Sequence, residues 1–154
     1  MAPTRCGSVP VAELLRYMKD KTIKDVKPLC TKTGGFVSLL GTSDARSVSD
    51  RAMDGDKTAK RAWDAMIYQI IKYIGAMSTV LHGKVDGILL GGGMVYNKEL
   101  VKQISEACSF IAPVYAYPGE FELEAMNAGA ARVLSGEETA REYTGVPRWN
   151  GFEV

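Results

Sequence analysis

A short apolar run that ends in three consecutive glycines, Gly91, Gly92 and Gly93, constrains the fold of this chain more than any other feature. The run covers residues 85–90 and lies between two strongly helical patterns. This order predicts a buried strand that leads through a glycine turn into a helix. Glycine leaves the main chain bare, so a nucleotide could lie against the backbone there without meeting a side chain.

Helical periodicity is strongest over residues 56–82, where apolar side chains recur at steps of three and four. This stripe includes Trp63 and several methionines, and we interpret it as a packing face rather than a cofactor site. Weaker amphipathic patterns predict further helices at residues 10–20, 22–30, 97–108 and 121–134.

Two further apolar runs, residues 36–40 and 110–117, are predicted to be strands. Alternation of helices and short strands indicates an α/β fold with a mostly parallel sheet flanked by helices. Only two or three strands can be counted, whereas parallel sheets are normally larger and covered on both faces. We therefore expect part of a sheet, with residues 1–145 as a partial lobe and residues 146–154 as a loose terminal tail.

Charge and cysteine content exclude several classes of function. The net charge is +1 and no long run of like charges occurs, so we expect no nucleic-acid or membrane partner. No apolar stretch approaches the roughly 18–20 residues that span a bilayer, and no secretion signal is recognisable at the start. Three dispersed cysteines and one histidine argue against a zinc site and for a cytoplasmic protein with reduced thiols.

Three turns are expected to follow strands, at residues 41–46, 91–94 and 118–120. Ligands of open α/β sheets bind at the carboxyl ends of strands, so these turns are expected to converge on one shallow site. Ser43 or Asp44 is suited to cap the helix after the first turn. The sequence lacks the P-loop, the dinucleotide fingerprint and the protein-kinase motifs. A purely structural role for the glycines remains the alternative.

Arg5 lies in a short loop between Pro3 and Gly7. A guanidinium held in such a loop can bind an anion through two parallel hydrogen bonds. Its position near the start of the chain favours a solvated arginine when no other information is used.

Four segments in this order resemble the acetate and butyrate kinase family. They are TRCGS at residues 4–8, LGTSDAR at 40–46, GGGM at 91–94 and YPGE at 117–120. The resemblance covers nearly the whole chain apart from the last dozen residues, and it is greatest to the butyrate-specific members. It implies the C-terminal lobe of the actin-like ATPase fold, in which two lobes close over a nucleotide. It also implies phosphoryl transfer between ATP and a short-chain carboxylate, giving an acyl phosphate and ADP.

The resemblance assigns seven residues to the nucleotide, with Gly91 as a structural glycine beside them. One group matches the adenosine-binding turn and a second matches the segment beside adenine and ribose. In chain order these residues are Asp44, Ala45, Arg46, Gly92, Gly93, Met94 and Asn97.

Arg5 matches the family's arginine that holds the transferring phosphoryl group and the acyl carboxylate. An ungapped alignment places Phe121 where acetate kinases carry a magnesium-linked glutamate, with Glu120 and Glu122 on either side. Either carboxylate could reach Mg²⁺ through water. Glu120 is slightly favoured because it lies nearer the preceding strand.

Family members are much longer than this chain, and the resemblance implies that the N-terminal lobe is missing. The chain would then supply the nucleotide-binding half of an ATP-dependent butyrate kinase and be inactive alone. In full-length form it is expected to be a homo-oligomer. One alternative is a stand-alone adenine-nucleotide-binding or interaction module without catalysis, and another is a defective fragment that folds poorly.

Overall fold

The computed structural model describes residues 1–146, which divide into a compact unit Met1–Gly119 and a second unit that begins at Glu120. In chain order the regular elements of the first unit are α1 (Val11–Tyr17), α2 (Ile23–Thr31), α3 (Phe36–Leu40), α4 (Ala45–Met53), α5 (Lys57–Val80), β1 (Ile88–Gly92), a 3₁₀ helix (Gly93–Tyr96), α6 (Lys98–Cys108) and β2 (Val114–Pro118).

The central helix of the first unit is α5, which packs against α3, α4 and α6. It begins where the Asp56 carboxylate accepts hydrogen bonds from the Thr58 and Ala59 amides, at 2.9 and 3.0 Å. Trp63 is fully buried, and its ring lies nearly parallel to that of Phe36 with the centroids 6.4 Å apart. The prediction that this stripe is a packing face is confirmed as far as Ile74, whereas Met77 and Leu81 are 55% and 53% exposed.

The sheet consists of β1 and β2, which pair in parallel with Ile88 opposite Val114 and Gly92 opposite Pro118. Parallel pairing across an intervening helix, α6, confirms the predicted α/β topology. The second strand begins at Val114 rather than at residue 110, because the chain first turns after α6. The Ile111 amide donates to the Cys108 carbonyl in that turn, at 2.9 Å.

The predicted strand at residues 36–40 is wrong, since these residues form helix α3. Glycines with positive φ flank the segment, at 62° for Gly35 and 72° for Gly41. The Leu39 amide donates to the Gly35 carbonyl at 3.1 Å, and the Gly41 amide donates to Val37 at 3.0 Å. The five residues between these two glycines, four of them apolar, complete one helical turn, which buries Phe36 against α5. The turn at residues 41–46 therefore follows a helix.

The second unit contains α7 (Glu122–Leu134), in agreement with the helix predicted at residues 121–134. The Arg132 guanidinium then reaches back to Glu138 at 3.0 Å. The expected loose tail lies almost wholly outside the described residues, and the boundary at residues 145 and 146 stays a prediction. In the part of the chain that the structure describes, no helix has both the length and the apolar character to cross a membrane.

Candidate nucleotide site

A cavity of about 830 Å³ lies between the start of α4 and the segment that joins β1 to α6. This volume is in the range of pockets that hold small ligands. Six of the seven residues assigned to the nucleotide line it, and the seventh, Gly92, directly precedes Gly93. The lining residues are Ser43, Asp44, Ala45, Arg46, Ser49, Asp50, Met53, Trp63, Gly93, Met94, Tyr96, Asn97, Lys98 and Glu99.

Asp44 closes the α4 wall of the cavity. Its Oδ1 accepts hydrogen bonds from the amides of Arg46 at 3.0 Å and Ser47 at 3.3 Å, which confirms the predicted helix cap. Its own amide donates to Thr42 Oγ1 at 3.1 Å. The Arg46 and Ser47 amides are thus already bonded to a carboxylate, whose negative charge makes this helix end unfavourable for a phosphate.

The glycine turn forms the facing wall. Gly92 has φ 94° and ψ 175°, a conformation that residues with a Cβ rarely adopt, and a Cβ built there would meet no atom within 4 Å. Gly91 has no positive φ and also faces open space. Of these two residues, Gly92 is therefore the one whose backbone conformation favours glycine, and the structural role expected of Gly91 stays a prediction.

Asn97 joins the two walls. Its Oδ1 accepts the Leu100 amide at 2.9 Å and so caps α6. Its Nδ2 donates to Ser49 Oγ at 2.8 Å, and Ser49 is only 3% exposed. Ser49 was not identified from the sequence. The feature that could have indicated Ser49 is its position on the inward face of α4, which it shares with Ala45, Val48 and Ala52.

Further lining residues that sequence reasoning missed come from three elements. Asp50 and Met53 extend the α4 wall, and Tyr96 and Lys98 flank Asn97. Glu99 accepts from Gln103 at 2.8 Å. These residues carry no recognisable motif, since only the packing of α4 and α6 on the same helix, α5, brings them together.

Arg5 lies outside the set of residues that line the cavity, in a segment held by main-chain hydrogen bonds. The Cys6 amide donates to the Leu29 carbonyl at 2.9 Å, and the Gly34 amide donates to Thr4 at 3.1 Å. Gly34 and Gly35 allow this approach, because a Cβ on either would lie about 3 Å or less from Arg5 backbone atoms. The Arg5 side chain is exposed and makes no hydrogen bond or ion pair with the residues described.

The third predicted turn lies beside the second, since the Gly119 amide donates to the Gly92 carbonyl at 3.4 Å. Its carboxylate Glu120, together with Glu122, belongs to the second unit. Across residues 1–146, no group of three or more His, Cys, Asp or Glu side chains is arranged to hold a metal ion. Magnesium ligation by Glu120 or Glu122 stays a prediction.

Cys6 and Cys108 show no sign of activation as nucleophiles. Burial raises the pKa of the Cys108 thiol. Burial, followed by the neighbouring Cys30, raises the pKa of Cys6. An activated thiol requires the opposite shift.

Solved structures similar to this chain include two acetate kinases. Acetate kinase from Entamoeba histolytica superposes with a TM-score of 0.72 at 20% identity, over 84% of this chain and 42% of that one. Acetate kinase from Porphyromonas gingivalis gives a TM-score of 0.62 at 27% identity, over 72% and 29%. The fold is therefore the α/β fold of these actin-like ATPases.

Sequence comparison agrees with the fold. Butyrate kinase 2 of Clostridium acetobutylicum is 43% identical over 148 residues, covering 92% of this chain and 40% of the relative. Probable butyrate kinase 2 of Caldanaerobacter subterraneus subsp. tengcongensis is 44% identical over 144 residues, with 92% and 41% coverage. The chain thus spans about two fifths of the length of these relatives. Residues 1–143 match the acetokinase family, and the chain belongs to that family.

Proposed function

We propose that this chain supplies the adenine-nucleotide-binding half of a cytoplasmic kinase that converts butyrate and ATP to butyryl phosphate and ADP. The observation that carries the proposal is the cavity, which gathers Arg46, Met94 and Asn97 from distant parts of the sequence. The names of the two butyrate kinase relatives favour butyrate as the acceptor. Because the chain spans about two fifths of their length, we infer that activity requires the remaining part of such a kinase, which we expect to be its N-terminal lobe.

The cavity is suited to the nucleoside part of ATP. Both helix starts on its walls carry a side-chain cap, since Asp44 accepts from the Arg46 and Ser47 amides of α4 and Asn97 accepts from the Leu100 amide of α6. Fewer amides are therefore left for a phosphate, and the Asp44 carboxylate repels one. A Cβ at Gly92 would meet nothing within 4 Å, and Gly93 and Arg46 both line the cavity, so this side of it has room for a flat base. We propose that adenine and ribose lie here and that the phosphates extend out of the cavity.

Arg5 is proposed to hold the transferring phosphoryl group and the substrate carboxylate. A guanidinium grips two oxygens of such a group at once, and it stabilises the charge that the transition state places on them. Bound Mg²⁺ would neutralise further phosphate charge. It needs only one or two protein carboxylates beside phosphate and water, a role that Glu120 or Glu122 could fill.

Nucleotide binding can be tested by calorimetric titration of the chain with ADP. We expect heat of binding at ADP concentrations on the order of 1 mM, and about tenfold weaker binding for Arg46→Ala. Arg61→Ala is the matched control, because Arg61 is an exposed arginine of α5 outside the cavity lining. No binding by the unaltered chain would refute the nucleotide site.

Catalysis separates this proposal from a stand-alone nucleotide-binding module. With butyrate, ATP and Mg²⁺, the chain alone should show almost no turnover, and addition of the N-terminal part of butyrate kinase 2 should raise it. Kinases typically turn over at roughly 1–100 s⁻¹. Turnover at that rate by the chain alone would contradict the proposal that it supplies only half of the active site. Nucleotide binding without any gain from the added lobe would favour the module.

Arg5→Ala tests the catalytic assignment in that reconstituted kinase. We expect kcat to fall by a factor on the order of 100 or more while ADP affinity stays unchanged. Arg16→Ala is the control, since Arg16 is an exposed arginine paired only with Glu13 of the same helix. Loss of ADP affinity with normal turnover per bound nucleotide would show that the assigned role is wrong.

A further inference from the structure

The hydroxyl of Ser49 is the buried polar group that connects the two walls of the cavity. It accepts a hydrogen bond from Asn97 Nδ2 at 2.8 Å, and the residue is 3% exposed. Buried polar atoms without a partner are costly, so this pair is expected to form whenever α4 and α6 are packed together.

Both polar atoms of the Asn97 side-chain amide form hydrogen bonds within the protein. Its Oδ1 bonds the Leu100 amide at the start of α6, and its Nδ2 bonds Ser49 in α4. Asn97 follows the 3₁₀ helix Gly93–Tyr96 directly, so fixing its side chain also fixes the end of the glycine turn. The spacing between the glycine backbone and α4 thus depends on a hydroxyl that itself lies below the surface.

We propose that Ser49 is a positioning residue for the nucleotide, acting through Asn97 to hold the glycine turn at its distance from α4. The inference rests on the proposed nucleotide site and adds a residue to it. Ser49 would touch no part of the reaction, and its effect would appear as ligand affinity.

Ser49→Ala removes the hydroxyl with little change in volume. We expect roughly fivefold to tenfold weaker ADP binding, the usual scale for one buried hydrogen bond. Ser49→Thr retains the hydroxyl and should restore most of the affinity. Ser47→Ala is the matched control, because Ser47 lies in the same helix but outside the cavity lining.

A double-mutant cycle tests whether the effect passes through Asn97. Asn97→Ser keeps a helix-capping hydroxyl but is too short to reach Ser49. We expect it to weaken ADP binding about as much as Ser49→Ala does, and the double variant to be no weaker than either single one. Additive losses, or a much larger loss for Asn97→Ser, would overturn the inference and indicate direct contact between Asn97 and the ligand.

Hydrogen exchange provides a readout without nucleotide. If Ser49 steadies the Asn97 cap, the Leu100 amide should exchange several-fold faster in Ser49→Ala than in Ser47→Ala. Equal exchange, or wild-type ADP affinity in Ser49→Ala, would overturn the positioning role alone. Absence of ADP binding by the unaltered chain would overturn the nucleotide site, and the positioning role with it.

Discussion

The indole Nε1–H of Trp63 donates a hydrogen bond to Gln103 Oε1 at 3.3 Å and so joins α5 to α6 beside the cavity. Gln103 in turn donates to Glu99 at 2.8 Å. A fully buried aromatic residue of the core is therefore linked through one amide to a residue that lines the candidate site. Trp63, Gln103 and Glu99 therefore connect the packing of the core to the candidate nucleotide site.

Trp63→Ala should destabilise the chain by about 3–5 kcal/mol, because it leaves a large cavity beneath Phe36. Trp63→Phe keeps a ring but loses the hydrogen bond to Gln103, and a cost of about 1–2 kcal/mol is expected. Urea unfolding measures both. Tyr68→Ala serves as control, since that residue of the same helix is 63% exposed and should change stability little.

Asp44→Ala should lower stability by about 1 kcal/mol through loss of the α4 cap, and it should also weaken ADP binding. Asp44→Ser separates the two effects, because serine caps a helix without a charge. Thermal unfolding and ADP titration of both variants are the measurements. If Asp44→Ser binds ADP as weakly as Asp44→Ala while its stability is normal, the carboxylate itself serves the ligand.

Gly35→Ala should destabilise the chain by more than about 3 kcal/mol, because strain at a positive φ is added to a collision with the Arg5 segment. A Cβ at residue 35 would lie 2.8 Å from the Arg5 carbonyl oxygen. Gly41→Ala is the matched control: Gly41 also has a positive φ, but a Cβ there meets nothing within 4 Å. Its cost should be about 1–2 kcal/mol. Equal losses of unfolding free energy would refute the close contact.

The Asp56 carboxylate should make stability depend on pH in acid. The Ala59 amide, and then the Arg51 guanidinium, hold the pKa of Asp56 below its ordinary value. A carboxyl with a lowered folded pKa stabilises above its unfolded pKa, about 3.9, and this contribution is lost as pH falls through the folded pKa. Thermal midpoints of the unaltered chain and Asp56→Asn should therefore differ near pH 7 and converge below about pH 3. A difference independent of pH would contradict the shift.

Sequence reasoning succeeded where the pattern is long or chemically distinctive. The 24 residues of α5 carry a clear apolar stripe, and the carboxylate of Asp44 before α4 is a strong capping signal. Sequence patterns failed at residues 36–40, because a mostly apolar run of five residues fits a buried strand or one helical turn equally well. Only the packing of Phe36 on Trp63 decides between the two.

The residues of the candidate site likewise fall into those that the sequence could indicate and those that it could not. Its glycine turn and Arg46 could be found from motifs and resemblance, whereas Ser49 could not. A buried serine on a helix face looks like any small core residue until the partner of its hydroxyl is known. The contact with Asn97 joins residues 48 positions apart, so no local pattern contains it.

Main-chain hydrogen bonds hold the Arg5 backbone in place, so its position does not depend on the arginine side chain. Ala2 and Arg5 bond each other, and Cys6 bonds Leu29, entirely through backbone atoms. Any side chain at position 5 would therefore be presented from the same place. Arg5→Lys would accordingly compare a planar guanidinium with a compact ammonium group on an unchanged backbone. The backbone displacement that complicates most substitutions of binding-site arginines would be avoided.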